Sequence, residues 1–437
     1  MRVVMLTDDV QIDRRILLEA ESLQGRGHEV ILLAEAGAGL EGYEWLDRVK
    51  VERVQHPNLS ESEKLIFHIS SLVSGIFSRL SAGVLKVIGL ISIGVSKGFS
   101  LAIVLNQHAA NFILRLFRGV RRIPLYESSL VDRVFFYDAD VVHAHDLPRL
   151  RVGAMAKKKL RVPLVYDAHE LYSEIATLTP RQKKLLSRRE KRYINAADAV
   201  ITVNGYIADE FMKRYKIKRP KVILNATKWP SGIDLPRRFD KFRERFAIPK
   251  DARIVLFQGW MSATRGLQPL VRAMKFVPDF VHLVFMGYGE GVDALKKITR
   301  LELNLEKRIH FMEAVPQKDL LEWTASADVG IIPYQPVDLN NYFSSPNKLF
   351  EYIQAELPVI ANDLPFLRAV VGGEGFGIVC KLETVDDFAS AINKVFCDGE
   401  DRLRCYKENL RKKKKKYSWE NEEKKLFEIY DSFYLLQ

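Results

Sequence analysis

A helix whose first turn could hold an anion is indicated around residue 346. Pro346 fits the first position of such a helix, and Ser344 or Ser345 can cap it. Asn347 and Lys348 then lie in the first turn, where free backbone N–H groups and the helix dipole attract negative charge. Because Lys348 adds a full positive charge, the segment predicts a binding site for a phosphate group.

A carboxylate follows on the adjoining face of the same helix. Glu351 lies three residues beyond Lys348, where its side chain could accept hydrogen bonds from two hydroxyls of a ribose. A site for a polyanion beside a site for a diol describes a nucleotide sugar better than a free phosphate. The alternative is a capped helix that carries a lysine and a glutamate on its surface.

Two strand ends in the second half carry glycines that let the backbone approach a ligand. Gly259 lies in the run Phe257–Trp260, and Gly287 begins the Gly-Tyr-Gly-Glu-Gly loop after the next run. Arg265 directly precedes a glycine and a predicted helix. A cation near a helix N-terminus, with glycines beside it, is suited to binding a diphosphate.

Paired histidines and acids follow two strand-like runs in the first half. The pairs are His145 with Asp146 after the run Asp140–His143, and His169 with Glu170 after the run Pro163–Asp167. An imidazole beside a carboxylate could polarise a hydroxyl or orient a leaving group, although either histidine could instead only cap a neighbouring loop. His143 and His145 could in principle bind a metal, but no third ligand is identifiable, so the sequence predicts no metal site.

The first strand-like run, Arg2–Thr7, is followed by Asp9, Asp13 and Arg15. No Gly-x-Gly-x-x-Gly follows this run, so the dinucleotide-binding fingerprint is absent. Its absence removes most of the support for an oxidoreductase.

Short Val/Ile/Leu-rich runs alternate with longer amphipathic stretches through most of the 437 residues. The runs are too apolar for half-solvated strands, and the stretches between them are long enough for crossover helices. The pattern predicts an α/β protein with two doubly wound, parallel-sheet domains, joined by a polar stretch at Thr227–Arg238. Ligands of such domains lie beyond the carboxyl ends of the strands, where the polar residues above are found.

The net charge of +12 is concentrated in two segments. Residues 64–126 contain eight basic residues and no acid, and residues 401–416 contain nine basic residues and two acids. The rest of the chain is therefore slightly acidic, which argues against nucleic acid as a partner.

The acid-free segment at 65–125 also departs from the alternating pattern. It contains no stretch of about 20 clean apolar residues, so a spanning helix is not expected. Helices with one apolar face, several cations and no acids suit the headgroup region of an anionic membrane. The alternative is a helical hairpin that covers its own domain or a second copy of the chain.

Three cysteines, Cys380, Cys397 and Cys405, are widely spaced and form no Cys-x-x-Cys. This spacing disfavours a disulfide scaffold or a cysteine zinc site and favours a reducing compartment. The N-terminus enters a strand-like run directly, so no signal peptide is expected. Together these features predict a cytoplasmic location.

Taken in order along the chain, these residues resemble the retaining GT-B glycosyltransferases of glycosyltransferase family 4. The similar phrases are Asp13-x-Arg15, Asp140-Val-Val-His-Ala-His-Asp146, Val165-Tyr-Asp-Ala-His-Glu170, Arg265-Gly266, Pro346-Asn-Lys-Leu-Phe-Glu351 and Tyr417-Ser-Trp419-Glu420. The similarity covers nearly the whole chain except 65–125.

The resemblance implies two Rossmann-like domains that face a cleft, with the donor bound mainly by the second domain, the acceptor mainly by the first, and usually no metal. It implies an acceptor-side domain at residues 1–228 with a helical insertion at about 60–126 and a final helix at about 418–437. The donor-binding domain would span residues 229–417.

The resemblance also assigns roles by position. Arg265 and Lys348 would hold the diphosphate and stabilise the leaving nucleotide, Glu351 would bind the ribose, and His145 would contact the donor sugar near the anomeric centre. The implied catalytic residues are His145, Arg265 and Lys348; the donor-binding residues are Gly259, Gly287, Asn347, Lys348, Leu349 and Glu351; the acceptor-side residues are Asp9, Asp13, Arg15, His169 and Glu170.

Two positions depart from the family pattern. The family often has a second glutamate eight residues before the one at Glu351, and this position is Phe343 here. The family also often has arginine directly after the glycine of the second domain's first strand, whereas Trp260 follows Gly259. Arg265 and Lys348 would then neutralise more of the phosphate charge, and the sugar cannot be inferred from the family.

The expected protein is a retaining glycosyltransferase, peripheral on the cytoplasmic face of a membrane. It would move a sugar from a nucleotide-diphosphate sugar to a hydroxyl of a membrane-presented, lipid-linked glycan, without a metal or another cofactor. Two rivals stay open: a nucleotide-sugar epimerase of the same fold, and a non-catalytic relative that binds a membrane partner. Association into homo-oligomers also stays open.

Overall fold

The computed structural model describes residues 1–37, 39–40, 42–46, 48–55, 125–228, 239–397 and 400–434. The helical insertion expected at about 60–126 lies outside these residues, apart from Leu125 and Tyr126. The stretch around the expected boundary at 228 and 229 is also only partly described.

The first half of the chain forms one sheet of eight strands in the order β3-β4-β2-β1-β5-β6-β7-β8. The strands are β1 Arg2–Leu6, β2 Glu29–Glu35, β3 Gly42–Leu46, β4 Val49–Val54, β5 Val141–His145, β6 Leu164–Ala168, β7 Ala199–Thr202 and β8 Lys221–Val222. Every pair is parallel except β3 with β4 at the edge. The antiparallel strand β3 was not foreseen from the sequence, because it has no uniformly apolar run.

Helices cover both faces of this sheet. They are α1 Arg14–Gly25, α2 Leu125–Phe136, α3 Asp146–Leu160, α4 Pro180–Tyr193 and α5 Gly205–Tyr215. Successive residues of β1 point to opposite faces: Val4 and Leu6 join the core under α2 to α5, while Val3 and Met5 join the core under α1. A strand with two buried faces reads as a continuous apolar run, which is why the sequence pattern predicted a parallel sheet.

The last helix of the chain packs on the first sheet rather than on the second. It is α15, Trp419–Tyr434, which shares the core of α1. The indole N–H of Trp419 donates to Ser22 Oγ at 2.8 Å, and Tyr430, three turns further along the helix, is also fully buried. Helix α15 therefore belongs to the domain that contains β1.

The second half forms a sheet of six parallel strands in the order β11-β10-β9-β12-β13-β14. The strands are β9 Arg253–Trp260, β10 Val281–Tyr288, β11 Ile309–Met312, β12 Val329–Ile332, β13 Val359–Asn362 and β14 Gly377–Cys380. The helices are α6 Lys241–Phe246, α7 Leu267–Ala273, α8 Val292–Lys297, α9 Gln317–Thr324, α10 Leu339–Tyr342, α11 Asn347–Gln354, α12 Pro365–Leu367, α13 Val385–Phe396 and α14 Glu400–Lys413. The two doubly wound parallel sheets agree with the sequence prediction.

The two domains touch around the carboxyl ends of their strands. Leu171 N–H donates to Asn340 Oδ1 at 2.9 Å, and Ala176 N–H donates to Asp338 Oδ2 at 2.7 Å. These bonds join the loop after β6 to the loop before α10, so the domains enclose a cleft. Among the described helices, none is both long enough and apolar enough to span a bilayer.

Candidate functional site

The cleft contains a cavity of about 320 Å³ between the two domains. Its lining residues come from Asp9, Asp13, Asp146, His169, Glu170, Tyr172, Ile207 and Asn225 of the first domain and from Arg265, Tyr334, Asn340, Asn341, Ser344, Ser345, Pro346 and Asn347 of the second. The cavity thus brings together Asp9, Asp13, His169, Glu170 and Asn347 with Arg265, as the sequence hypotheses placed them on one site.

Two cations of the second domain stand over aromatic rings. Arg265 lines the cavity, whereas Lys348 does not line it but lies 5.1 Å from the ring centroid of Tyr334, which does. The Lys348 Nζ lies 3.6 Å from the centroid of the Phe257 ring, and the Arg265 guanidinium lies 3.7 Å from the centroid of Tyr334. Lys348 is 5% exposed, and its Nζ has no hydrogen-bond partner among the described residues. An aromatic face compensates a buried cation only in part.

The environment shifts the pKa of Lys348. Burial holds the pKa well below its usual range, and the charge of Arg265 lowers it further, while Glu351 opposes both. An anion bound beside the two cations would offset the repulsion between Arg265 and Lys348 and could accept a hydrogen bond from the lysine. The arrangement of the two cations is therefore suited to binding an anion.

Two glycines lie on the paired strands β9 and β10 behind Lys348. Gly259 has φ +99° and Gly287 has φ +148°, where residues with side chains are strained. A Cβ at Gly287 would collide with the carbonyl oxygen of Gly259, its partner in the sheet. A Cβ at Gly259 would lie 3.8 Å from Lys348 Nζ. The strands can therefore meet behind Lys348 because Gly287 lacks a side chain, while at Gly259 the positive φ, and not a lack of room, favours glycine.

The first turn of α11 differs in detail from the sequence prediction. The helix begins at Asn347, and Pro346 precedes it in an extended conformation without a side-chain cap. The expected capping by Ser344 or Ser345 is therefore wrong, because Pro346 itself occupies the capping position and not the first helical position. Instead both hydroxyl oxygens are buried without hydrogen-bond partners among the described residues, and both residues line the cavity. Leu349, expected in the donor site, is fully buried in the core.

Glu351 lies where the two domains meet. Its carboxylate accepts from Arg14 Nη1 at 2.7 Å and from the side-chain amide of Gln258. Arg14 belongs to the first domain, so this ion pair closes the cleft on the side of α1. A ligand diol at Glu351 would have to share the carboxylate with these partners or displace one.

We call the first-domain residues that line the cavity the first-domain wall. A buried network of charged side chains lies behind this wall. Arg15 is 3% exposed and pairs with Asp167 at 2.9 Å and with Glu19 at 3.0 Å. It also donates to the carbonyl of Ile223 at 2.6 Å. Although burial alone would raise it, Arg15 and His169 hold the pKa of Asp167 well below its usual range. Arg15, expected on the acceptor side, therefore supports the wall and does not line the cavity.

The histidines of β5 and β6 take different positions. β5 continues to His145, two residues beyond the predicted strand end, so His143 and His145 share a face and stack with ring centroids 4.4 Å apart. His145 is 1% exposed, and burial, with His143 beside it, holds its pKa well below the usual range. Its Nδ1 lies 3.4 Å from His169 Nε2. His145 thus lies behind His169, which itself lines the cavity.

His169 is the imidazole that faces the cavity. Burial would lower its pKa, but the carboxylates of Asp146 and Asp167 outweigh this effect and raise it to about 10. Asp146 Oδ2 lies 3.4 Å from His169 Nδ1, and Asp167 Oδ2 lies 3.3 Å from Nε2. His169 is therefore a cation in the wall at neutral pH.

The loop after β1 supplies the remaining first-domain carboxylates. Asp13 caps α1 by accepting from the N–H of Arg15 at 2.7 Å. Asp9 Oδ2 accepts from the N–H of Asp13 at 3.1 Å. Both side chains still line the cavity, so helix capping places two carboxylates at its mouth.

One group of side chains could in principle hold a metal. Ligand atoms of Glu19, His143, His145 and Asp167 lie within 4.8 Å of one another, and all four residues are buried. Arg15 already neutralises both carboxylates of this group. The donor set therefore fits a guanidinium better than a divalent cation.

The two departures from the family pattern have structural roles. Phe343 stacks on Tyr206 of the first domain with ring centroids 6.1 Å apart, and its carbonyl accepts from Asn204 at 2.7 Å. Trp260 is 48% exposed and makes an edge contact with Tyr288. Phe343 joins the domains where a glutamate would otherwise face a ligand.

Sequence reasoning missed Arg14, Tyr334, Asn340 and Asn341 as parts of the site. Tyr334 follows β12, and the two asparagines lie in the short helix α10 that comes next. The rule that ligands lie beyond strand ends could have found these three. No local signal distinguishes Arg14 from Arg15, because the pairing of Arg14 depends on the other domain.

Comparison with known proteins identifies the two halves separately. Residues 97–237 match the family model described as Glycosyltransferase Family 4, and residues 238–413 match Glycosyl transferases group 1. A D-inositol 3-phosphate glycosyltransferase of Xylanimonas cellulosilytica is 27% identical over 278 residues, covering 60% of this chain and 61% of that protein. The match thus spans less than two thirds of that relative. An uncharacterized glycosyltransferase of Methanocaldococcus jannaschii is 27% identical over 302 residues, covering 67% of this chain and 75% of that protein.

Solved structures show the same fold over the full length. Sucrose-phosphate synthase from Thermosynechococcus elongatus matches with a TM-score of 0.69 at 16% identity, covering 100% of both chains. Anabaena HepE in complex with UDP-glucose matches with a TM-score of 0.67 at 16% identity, covering 99% of this chain and 100% of that chain. The two consecutive family models together span residues 97–413, so the chain belongs to the family 4-like glycosyltransferases, and the solved structures show that it has the two-domain GT-B fold.

Proposed function

We propose that this protein is a retaining glycosyltransferase that moves a sugar from a nucleotide-diphosphate sugar to a hydroxyl of a membrane-presented, lipid-linked glycan. One observation supports the donor class above all others. The buried amine of Lys348 has no partner among the described residues, and it lies in the first turn of α11 near Arg265. A diphosphate supplies the negative charge that this arrangement lacks.

The rest of the nucleotide would follow α11. The ribose would meet Glu351, one turn along the helix, where Arg14 and Gln258 now bind the carboxylate. The solved HepE complex contains UDP-glucose in a protein of the same fold, which supports a nucleotide sugar as the donor here. Ser344 and Ser345 would donate their free hydroxyls to the same ligand.

Catalysis would depend on stabilising the leaving group. The bond between the anomeric carbon and the phosphate oxygen breaks, and Lys348 and Arg265 neutralise the charge that develops on the diphosphate. The acceptor oxygen bonds to the anomeric carbon on the same face, and its proton passes to the departing phosphate oxygen. This route needs no carboxylate nucleophile and retains the anomeric configuration.

The first-domain wall would bind the acceptor. Asp9, Asp13 and Glu170 line the cavity with carboxylates that accept hydrogen bonds from sugar hydroxyls, and the cationic His169 donates one. His145 would act through His169, which stands between it and the cavity. Because Phe343 packs on the first domain, one usual contact to donor-sugar hydroxyls is replaced, and we assign no particular sugar.

We propose that the reaction needs no metal and no other cofactor. Lys348 and Arg265 provide the positive charge that a divalent ion supplies elsewhere. We further propose a cytoplasmic, peripheral location, with residues 64–126 on an anionic membrane surface. Nucleic acid is not among the partners that we propose. Association into homo-oligomers stays open.

The test is a screen of nucleotide sugars for hydrolysis and transfer, with and without lipid-linked acceptors. Wild-type protein should release nucleotide diphosphate, and NMR of the product should show the donor's anomeric configuration. Lys348→Met should slow both reactions by about 30- to 1,000-fold, while replacement of an exposed lysine on α14, Lys412→Met, should not. Conversion of the nucleotide sugar to another nucleotide sugar, with no glycosylated acceptor, would favour an epimerase. A protein that neither binds nucleotide nor catalyses a reaction would favour a non-catalytic membrane partner.

Metal dependence and membrane binding have separate tests. Activity should persist in EDTA; loss of activity that manganese or magnesium restores would overturn the metal-free mechanism.

Deletion of residues 65–125 should release the protein from anionic vesicles and leave nucleotide binding intact. Unchanged vesicle binding by that variant would assign another role to the segment.

A further inference from the structure

Helix α4 carries one exposed stripe of cations that the proposed reaction does not use. Its exposed side chains recur at helical spacing along one face, and we call five cations and one leucine of this face the α4 stripe. The α4 stripe consists of Arg181, Lys184, Leu185, Arg188, Lys191 and Arg192. Steps of three and four residues keep these side chains on one side of the helix.

The α4 stripe has no acid to balance its charge. The only acid of the helix is Glu190, which is buried on the opposite side and accepts from Tyr166 Oη and Tyr215 Oη, each at 2.6 Å. The neighbouring cation Arg189 is half-buried and paired with Glu127 at 2.9 Å. Within the described residues, no ion pair is formed by a member of the α4 stripe, so five positive charges face solvent together.

A large apolar side chain lies in the middle of these charges. Leu185 is 65% exposed, and cations lie next to it and one turn away at Lys184 and Arg188. A nucleic acid or an acidic protein would use the charges but gain little from the leucine. A bilayer interface uses both, because the leucine enters the acyl boundary while the cations reach the headgroup phosphates.

We propose that the α4 stripe binds the surface of an anionic phospholipid bilayer, with Leu185 inserted at the level of the glycerol groups. This surface is separate from residues 64–126 and consists entirely of described residues. Each cation near an anionic surface contributes about a fivefold gain in partitioning. Five such cations on one face therefore add to the attraction proposed for residues 64–126, and loss of either surface weakens membrane binding.

The position of α4 links this surface to the cleft. The helix begins at its cap Thr179, directly after the loop in which Leu171 and Ala176 bind the second domain. Glu170, at the start of this loop, lines the cavity. Docking through α4 therefore places the acceptor side of the cavity near the bilayer. Only this consequence rests on the proposed function; the binding surface itself does not.

A second basic region of the protein provides a matched control. The run at the end of α14 contains more lysines, but Glu356 and Glu374 bind several of them. The ion pairs are Arg411 and Lys414 with Glu356, and Lys413 and Lys416 with Glu374. Lys407, Lys412 and Lys415 are exposed beside these pairs, without a central apolar side chain. The two regions thus separate charge alone from charge with an apolar anchor.

The experiment compares two triple variants of the full chain by co-sedimentation with vesicles of phosphatidylcholine, with and without phosphatidylglycerol. Variant one is Lys184→Glu, Arg188→Glu and Lys191→Glu; variant two is Lys407→Glu, Lys412→Glu and Lys415→Glu. Both change the net charge equally. The partition coefficient of variant one on anionic vesicles should fall by about a hundredfold. That of variant two should fall by less than about tenfold. Equal losses in the two variants, or no loss in variant one, would overturn the proposal.

A depth measurement separates a bilayer from other anionic partners. Leu185→Cys would carry an environment-sensitive fluorophore in a chain whose Cys380, Cys397 and Cys405 are replaced by serine. Its emission should shift to shorter wavelength on anionic vesicles but not with polyglutamate or heparin. A shift with the soluble polymers, or none with vesicles, would overturn membrane insertion.

Nucleotide binding distinguishes this proposal from the proposed function. Both triple variants should bind UDP like the wild type, because neither changes a residue of the cavity. Vesicle binding by the α4 stripe in a protein that transfers no sugar would refute the transferase and leave the membrane surface intact. If variant one transfers sugar and binds vesicles like the wild type, the membrane surface is refuted and the transferase is supported.

Discussion

The two walls of the cleft treat their charges in opposite ways. On the first-domain wall, Arg15, Asp167 and His169 form a buried network in which each charge has a partner. On the second-domain wall, Lys348 is buried over the Phe257 ring without a hydrogen-bond partner among the described residues. One wall has its charges paired in the free protein, and the other has a buried cation that the proposed ligand would pair.

The difference shows how stability and function are divided between the walls. A satisfied buried network keeps the first-domain wall in place, since removal of one member would leave the others uncompensated. An unsatisfied cation costs folding free energy, but it is preorganised for an anion. We therefore expect substitutions on the first wall to affect mainly stability, and substitutions on the second to affect mainly turnover.

The largest expected effect is that of Arg15→Met on stability. It leaves Asp167 and Glu19 buried together with only His169 to balance their charge, and we expect a loss of about 3–5 kcal/mol in the free energy of unfolding. Urea denaturation measures it. Arg26→Met is the control, because Arg26 is 47% exposed and pairs with an exposed Asp431, so its loss should be about 1 kcal/mol or less. Similar losses in the two variants would contradict the comparison.

Lys348→Met should have the next largest effect, and on catalysis. We expect the activation free energy of sugar transfer to rise by about 2–4 kcal/mol, because a stabiliser of the leaving diphosphate is lost. The free energy of unfolding should stay constant or rise, since a buried amine without a partner becomes apolar. Steady-state kinetics and denaturation of the same protein test both parts. A destabilised Lys348→Met with wild-type turnover would reverse the assignment of the walls.

The affinity for UDP should depend on pH through Lys348. Burial and Arg265 hold the pKa of the free amine well below its usual range, and a bound diphosphate would raise it. Binding should therefore take up a proton at pH values between the two pKa values, and affinity should fall by up to about tenfold per pH unit as pH rises there. Calorimetry in two buffers of different ionisation enthalpy measures this uptake. Uptake that persists in Lys348→Met would assign the proton to another group.

The smallest expected effect tests the ion pair that spans the cleft. Arg14→Met frees the carboxylate of Glu351 from a partner at 2.7 Å, so the ribose no longer competes with it. Because the pair is partly exposed, we expect the dissociation constant for UDP to fall by only a few-fold, or about 1 kcal/mol at most. Glu351→Gln should raise it instead. Weaker UDP binding by Arg14→Met would show that Arg14 itself contacts the nucleotide.

Local patterns in the sequence determined the architecture and much of the second wall. Apolar runs identified β1, β6, β9 and β10, because strands buried on both faces have a continuous hydrophobic pattern. The proline and the first-turn lysine indicated the start of α11, and the resemblance placed the last helix at about 418–437, close to its observed bounds Trp419–Tyr434. These features depend on residues within one element, so one sequence contains enough information to find them.

Tertiary structure alone decided which charges pair and which stay free. Arg15 meets Asp167 from 152 residues away, and Arg14 meets Glu351 from 337 residues away. Nothing local distinguishes these two adjacent arginines, or shows that His145 lies behind His169. The same holds for the α4 stripe, whose exposure depends on how α4 packs. Charge pairing is a property of packing between distant elements, where Coulomb energy and desolvation are set by distances that sequence spacing does not contain.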